Sequence, residues 1–471
     1  MTRLKLIPTI LLCCLTAMAL IQMGGCANIV PPSGGPRDSI PPYAVYAKPK
    51  DSSTNIAPKE ILISFNEFIT TNALQEQLIV SPNIKNNPLV DQRLNMVRIR
   101  LSDSLNANTT YSLQFGNALR DVNEGNIVQN YTYVFSTGNQ IDTGKLFGKV
   151  QIAETGLVDS SLIAVLHPIE KDSAIYKDKP TYYSRINGQG VFEFKFLPAS
   201  DFNIYIVPND YSKRYDDSTK LFAFLDRSVA ATKTKDSIQL YAFEASPKKE
   251  KKLATAIGSK NAKKQSPLLK YSSNLEGQEK DFLSPLTLNF ETLIRLNDSF
   301  KIGITDTNLV QQEGVKVLVN AQNKQQVTID FPWEAGTDYK LVLPQKSIQD
   351  SLSNFLVKAD TLRFKTKPES SYGTAILRIN GFQQFEHPVL LLIQDQKVKF
   401  SYPITQNLLR IDLLPPGDYQ LKLLSDANQN GRWDTGKFIG KKLQPELVRN
   451  LNLILNIRAK WDNEMNLILK P

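Results

Sequence analysis

The sequence predicts an all-β chain of tandem antiparallel sandwiches arranged in two repeats. Three observations carry that expectation: period-two alternation of apolar and polar residues, turn residues at intervals of about ten, and an internal duplication. In "EILISFNEF", Ile61, Ile63 and Phe65 face one way and Leu62, Ser64 and Asn66 the other. In "VRIRLS", Val97, Ile99 and Leu101 oppose Arg98 and Arg100; "YSLQF" and "YTYVFSTG" are expected to alternate likewise. No long stretch sustains a helical period.

The duplication sets the domain order. "ALRDVNEGNIVQNYTYVFSTG" aligns without a gap on "SIQDSLSNFLVKADTLRFKTK" at an offset of 229, matching Asp121 with Asp350, Val128 with Val357 and Phe135 with Phe364. The offset persists from Gly144 to Gly373. It then falls to 217 where "FKFLPASDFNIYIV" meets "IDLLPPGDYQLKLL", so the second copy has lost twelve residues, placed near "KDSAIYKDKPTYY". The order is A–B–A′–B′. A covers residues 41–138, B 143–245, A′ 282–367 and B′ 372–471, with a connecting segment at 246–281.

A chain of 471 residues is long enough for several domains, and 41% hydrophobic with 22% charged residues is the composition of a folded protein. Residues 1–25 read as a leader: Arg3 and Lys5, the apolar run "LIPTILLCCLTAMALI", then "MGGC". This pattern resembles a bacterial lipoprotein signal peptide, with Met23 where Leu is usual, and the resemblance implies cleavage before Cys26 and lipidation of its thiol. Residues 26–40, including "ANIVPPSGGPRDSI", then form a Pro/Gly/Ser tether. Cys13 and Cys14 leave with the leader, so neither a disulfide nor a free thiol is expected in the mature chain. Removing Arg3 and Lys5 leaves 54 basic against 46 acidic side chains, a mildly basic balance that suits anionic envelope polymers or lipid head groups and does not call for nucleic acid.

The A units resemble bacterial Ig-like domains of S-layer and envelope proteins. A carries the diproline, "P-x-D" turn and "F-N-E" element in "IPPYAVYAKPKDSSTNIAPKEILISFNEFI", then "LNANTTYSLQFGNALRDVNEGN" and the closing "YVFSTG"; A′ keeps "WEAGTDYKLVL" and "RFKT" without the diproline opening. The B units resemble transthyretin-like or collagen-adhesin-B-like sandwiches, through "GQGVFEFKFLPASDFNIYIV" and "LLRIDLLPPGDYQLKLL". Phe192, Phe194 and Phe196 are expected on one strand face, Pro198 or Pro415 in the turn, and Phe202 or Tyr419 buried on the returning strand. Tether, Ig-like unit and transthyretin-like unit in this order resemble a group of Gram-negative outer-membrane lipoproteins. Ala27 stands where Asp would signal inner-membrane retention, and "NIVPP" lacks an acidic export cluster, so an outer-membrane, periplasm-facing anchor is expected. Residues 246–270 carry eight lysines against Glu250 alone, which reads as a solvated linker, the alternative being an electrostatic patch for anionic glycan or lipid.

Catalytic constellations are not apparent. His167 and His387 each precede a proline and share no metal or triad spacing. Asp216 and Asp217 read as turn residues, and Trp333, Trp433, Tyr182 and Tyr183 as core or edge aromatics with sugar stacking as the alternative. One loop, "LLSDANQNGRWDTG", has the ladder of an EF-hand-type calcium site. Asp426, Asn428 and Asn430 stand at positions one, three and five, Gly431 at the turn, Arg432 at seven with its carbonyl, and Asp434 at nine. Lys437 occupies position twelve, where a bidentate Glu completes the shell, so any Ca2+ site is expected to be weak; the alternative is an Asx-rich turn with Trp433 packed on the sandwich edge. The function expected is that of a non-catalytic, lipid-anchored scaffold, spacer or binding module in the envelope, its partner an envelope glycan or another envelope protein. The alternative is a glycan-binding accessory lipoprotein of an outer-membrane uptake system.

Overall fold

The computed structural model describes residues 37–169, 173–232, 236–246, 269–321, 323–351, 354–356 and 358–470. Cys26 and most of the lysine-rich segment lie outside the described residues. The protein is all-β, and the chain divides into two compact units between Asp142 and Thr143.

In the first unit, Glu60–Phe65 pairs with Ala44–Lys48 and Met96–Arg100, and Leu89–Arg93 completes a four-stranded antiparallel sheet. A three-stranded sheet of Ile79–Ser81, Thr110–Gln114 and Thr132–Ser136 faces it across a core of Ile61, Ile63, Phe65, Val97, Ile99 and Phe135. The alternation expected of "YSLQF" and "YTYVFSTG" does not hold: residues 110–113 and 133–136 are buried on both faces. Residues 49–56 run along the edge strand Thr132–Ser136, where Ser53 bridges to Phe135 in parallel. Ser52 N–H donates to Val134 O (2.8 Å), Asp51 accepts from Val134 N–H (2.8 Å) and Tyr133 Oη donates to Pro49 O (2.9 Å). Asp121 is buried, with its oxygens accepting from the N–H groups of Glu124, Gly125 and Asn126 at 2.6–2.8 Å. Burial pushes its carboxyl up, but these backbone donors outweigh that and hold it below the usual carboxylate range.

The second unit contains the other three sandwiches. The B sandwich sets Val191–Leu197, Gly144–Ile152 and Ile238–Ala242 against a sheet containing Tyr182–Arg185, Leu162–Pro168, Asp201–Pro208 and Ala223–Phe224. B′ repeats that topology: Leu408–Leu414, Gly373–Asn380 and Asp462–Ile468 face Lys397–Pro403, Pro388–Gln394, Gly417–Ser425 and Leu447–Ile457. The correspondence extends to irregularities. Each Gly-initiated strand pairs parallel with its last strand and antiparallel with a neighbour whose register slips just after the glycine. At that slip Phe196 and Leu413 both adopt the left-handed region, with φ of 58° and 57°. Phe196 therefore leaves the alternation expected of it, and Leu197 takes the core position beside Phe192 and Phe194. A side chain on Gly144 or Gly373 would meet a backbone oxygen, Leu197 O at 2.5 Å or Arg458 O at 2.4 Å, which accounts for the glycine in both copies. The shortening lies where expected. B joins Leu162–Pro168 to Tyr182–Arg185 through a segment containing the helix Ala174–Lys177; B′ makes the same connection with Asp395 and Gln396 alone, both at positive φ.

A′ pairs Leu286–Phe290 with Gln326–Asp330 and faces that sheet with one containing Asp338–Leu343 and Asp360–Thr366. Tyr271–Ser273 and Glu279–Lys280, within the expected connecting segment, add a strand to each sheet. Lys280 is fully buried, donating to the carbonyls of Asp281 and Ser284, with its ammonium 5.4 Å from the centre of Trp333. Burial pushes this ammonium down to about 8 against the pull of Asp281. Tyr372 Oη donates to Asp281 Oδ1 (2.5 Å), tying A′ to the start of B′.

Candidate functional site

The loop with the calcium-like ladder follows the strand Gly417–Ser425 and is tightly internally bonded. Asp426 is buried; Oδ2 accepts from Gly431 N–H (2.7 Å) and Oδ1 from Asn430 N–H (3.2 Å). The Oδ1 atoms of Asn428 and Asn430 accept from the N–H groups of Asn430 (3.0 Å) and Arg432 (2.7 Å) as Asx turns. Their Nδ2 groups both donate to Asp434 Oδ2, at 2.5 and 2.6 Å. Glu446 closes the loop from outside the ladder, accepting from Ala427 N–H (2.9 Å) and Asp434 N–H (3.0 Å). Burial, with Asp426 and Asp434 nearby, pushes the Glu446 carboxyl up, while those two N–H donors act the other way. Amide donors, not amide oxygens, therefore face Asp434, and Lys437 stands where a twelfth-position carboxylate would complete a shell. Among the described residues no three His, Cys, Asp or Glu side chains converge as a metal-binding group.

What the loop does is project its continuation into the other B sandwich. Trp433 donates Nε1–H to Glu446 O (2.7 Å) and packs against Leu391 and Val448 of B′ as well as the aromatic cluster of B. Lys437 and Leu443 exchange backbone hydrogen bonds of 2.8 and 2.7 Å, forming a tip that carries Phe438. Phe438 is buried in B, 5.0 Å from the ring centres of both Phe222 and Phe224 and 5.8 Å from Tyr205. Tyr176, in the segment that B′ lacks, lies 5.9 Å from the same ring. The surrounding contacts are polar: Thr435 Oγ1 donates to Glu244 O (2.6 Å), Val448 N–H to Ala153 O (2.8 Å) and Lys422 Nζ to Thr155 O (3.0 Å). A Cβ on Gly436 would lie 2.7 Å from the Phe243 ring, so the glycine admits the loop.

Beside this junction the structure leaves a cleft of about 920 Å3, bounded by B, the outer face of the B′ sheet and residues 431–433. A smaller one of about 310 Å3, lined by Phe382, Phe385, His387 and Asp426, lies on B′ alone.

The other sequence candidates are placed separately. His167 is buried beside Tyr205 with no hydrogen-bond partner at Nε2 among the described residues, and burial pushes it down to about 4 despite Asp178. His387 is exposed, 3.3 Å from Gln429 Nε2. Asp216 pairs with Lys220 (2.7 Å), which also holds Asp210 (2.6 Å). Trp333 and Tyr182 are core residues of A′ and B; Tyr183 is half-buried in B and Trp433 lies at the junction, so the four form no common platform. Sequence reasoning missed Glu446, Phe438 and Lys422. None has a local signature, since the partners of each lie far along the chain.

The fold and this junction define a tandem β-sandwich protein. Residues 38–137 match the family model described as bacterial Ig-like domain, Big_5. No curated protein matches the chain in sequence. Among solved structures it is similar to the Bacillus anthracis TIE protein (10% identity over 93% of this chain and 76% of that one, TM-score 0.17). It is also similar to BcpA, the major pilin subunit of Bacillus cereus (10% identity, 69% and 98%, TM-score 0.16), and to the N-terminal part of the bacterial S-layer protein SbsC (12%, 37% and 42%, TM-score 0.16). Similarity at this level defines no shared function.

Proposed function

We propose that the protein is a non-catalytic, lipid-anchored scaffold, spacer or binding module of the cell envelope, held through Cys26 in the outer membrane and facing the periplasm. The observation that carries this reading is the packing of B and B′ into one body by a loop whose polar groups are spent on holding it. The lipoprotein-like leader and the bacterial Ig-like match at residues 38–137 support the envelope assignment. No helix among the described residues is long and apolar enough to cross a membrane. Cys26→Ser is the test: the wild-type chain is expected in the detergent phase and the variant in the aqueous phase. A variant that stays with membranes overturns the anchor. Protease added to intact cells reports the side, with protection expected.

A second reading, a glycan-binding accessory lipoprotein, is favoured by the cleft beside Trp433.

A further inference from the structure

We infer that the cleft between B and B′ binds an acidic oligosaccharide, an inference that rests on the binding-module reading and names its ligand class. The floor is the outer face of the four-stranded B′ sheet. Across it Ser401 pairs with Leu391, Leu391 with Lys422 and Lys422 with Asn450, so the four side chains form one row. The neighbouring row sets Val398 beside Ile393 and Ile393 beside Gln420. Three strand spacings make this floor roughly 14 Å wide.

Both walls are built. Over the strand Leu447–Ile457 stands the B turn at residues 153–157, fixed by Val448 N–H on Ala153 O and by Lys422 Nζ on Thr155 O. It sits so close that a Cβ on Gly156 would lie 2.9 Å from Val448 O. Over the opposite strand, Lys397–Pro403, stands the Asx loop; a Cβ on Gly431 would lie 3.9 Å from Ser401 Oγ, and Arg432 and Trp433 follow it. The cleft therefore needs both copies of the repeat. Its volume of about 920 Å3 is at the upper end for sites that enclose small ligands.

The lining selects the occupant. Lys399, Lys422 and Arg432 outnumber Glu154, the one acid of the lining; Lys399 also lies 3.8 Å from Asp395 outside it, and the Arg432 guanidinium has no acid partner among the described residues. Fixed cations in a walled cleft focus potential onto an anionic ligand. Gln396, Gln420, Ser401 and Asn450 both donate and accept, which suits hydroxyl networks, and Trp433 and Val398 offer apolar surface. A β-strand peptide is poorly served, because the floor is a sheet face whose backbone groups are already paired. An acyl chain would meet a polar, charged lining.

The test is calorimetric titration of the full chain in detergent with a galacturonate hexamer, a neutral glucose hexamer and poly-glutamate. The galacturonate hexamer is expected to bind, to weaken as salt rises from 50 to 500 mM, and to exceed the glucose hexamer at least ten-fold, with a change in tryptophan fluorescence. Arg432→Gln and Lys399→Gln, both exposed, should each weaken binding three- to ten-fold without altering the melting temperature. Ser401→Trp, which fills the floor, should abolish it. No heat at millimolar galacturonate, affinity indifferent to the Gln variants, or poly-glutamate binding as tightly would each overturn the inference. A chain that partitions into membranes through Cys26 yet fails to bind galacturonate sinks this inference and leaves the anchor intact.

Discussion

Phe438 of the last sandwich lies 5.0 Å from Phe222 of the second, ring centre to ring centre, in a pocket closed by Phe224, Tyr205 and Tyr176. Two copies of one duplicated fold are joined by an aromatic side chain from the loop of one seated in the sheet of the other. Truncating a buried aromatic of this kind costs about 3–5 kcal/mol through lost transfer energy and the cavity left behind. Phe438→Ala is expected to split the melting of residues 143–471 into separable steps, whereas Phe438→Leu should retain most of the coupling. A single unchanged transition in the Ala variant would mean that the polar contacts alone hold the junction.

His167 gives the same body a pH dependence. Its imidazole is buried beside Tyr205 and pushed from an ordinary 6.5 down to about 4 by burial, with Asp178 pulling the other way. The unfolded chain therefore takes up the proton first. Stability is fully present above pH 6.5 and falls as the pH is lowered toward 4, by about 3 kcal/mol in all. Urea midpoints at pH 7.5, 6 and 4.5 should record the fall, and His167→Phe should flatten it. An equally steep loss in the variant would assign the effect to other groups.

Glu446 offers a test of the loop. Removing its carboxylate leaves the N–H groups of Ala427 and Asp434 without their acceptors, at a cost of about 2 kcal/mol. Glu446→Ala should lower the melting temperature, with Glu446→Gln intermediate. If both melt as the wild type does, water replaces the carboxylate freely and the loop owes its shape to Asp426 alone.

Calcium addresses the same residues differently. With Asn428 and Asn430 donating to Asp434 and Lys437 opposing, calcium at several millimolar is expected to leave the melting temperature unchanged. A rise abolished by Asp426→Ala and Asp434→Ala would instead establish a cation site.

Gly148 tests the packing of the B strand itself. A Cβ there would lie 2.4 Å from Ile238 O and 2.5 Å from the Phe192 ring. Gly148→Ala should destabilise by about 1–3 kcal/mol, measured by chemical denaturation. A neutral result would show that Phe192 moves aside.

The fold was legible where pattern is local. The offset of 229 carries Leu119–Asp121 onto Ile348–Asp350, and that of 217 carries Val191–Leu197 onto Leu408–Leu414, strand for strand. Alternation failed at Phe196, because a bulge is set by pairing with Gly144 that one strand's sequence does not display. It failed at Thr110–Gln114, the central strand of its sheet, which is buried on both faces although nothing in its own alternation announces that. The 426–434 ladder announced itself, but its use did not. Glu446 and Phe438 act on partners that the chain reaches only after folding, so no spacing rule points to them.

The seat of Phe438 also determines how the second unit would carry tension. The chain leaves B after Phe243, builds A′, and returns to B′, yet B and B′ touch directly. Pulling between the two ends of this unit loads the B–B′ contact first, and A′ lies on a bypassed loop that feels no force while the contact holds. Release of the B–B′ contact would put A′ in series with the load. In that geometry the two duplicated sandwiches close the loop of chain that carries A′.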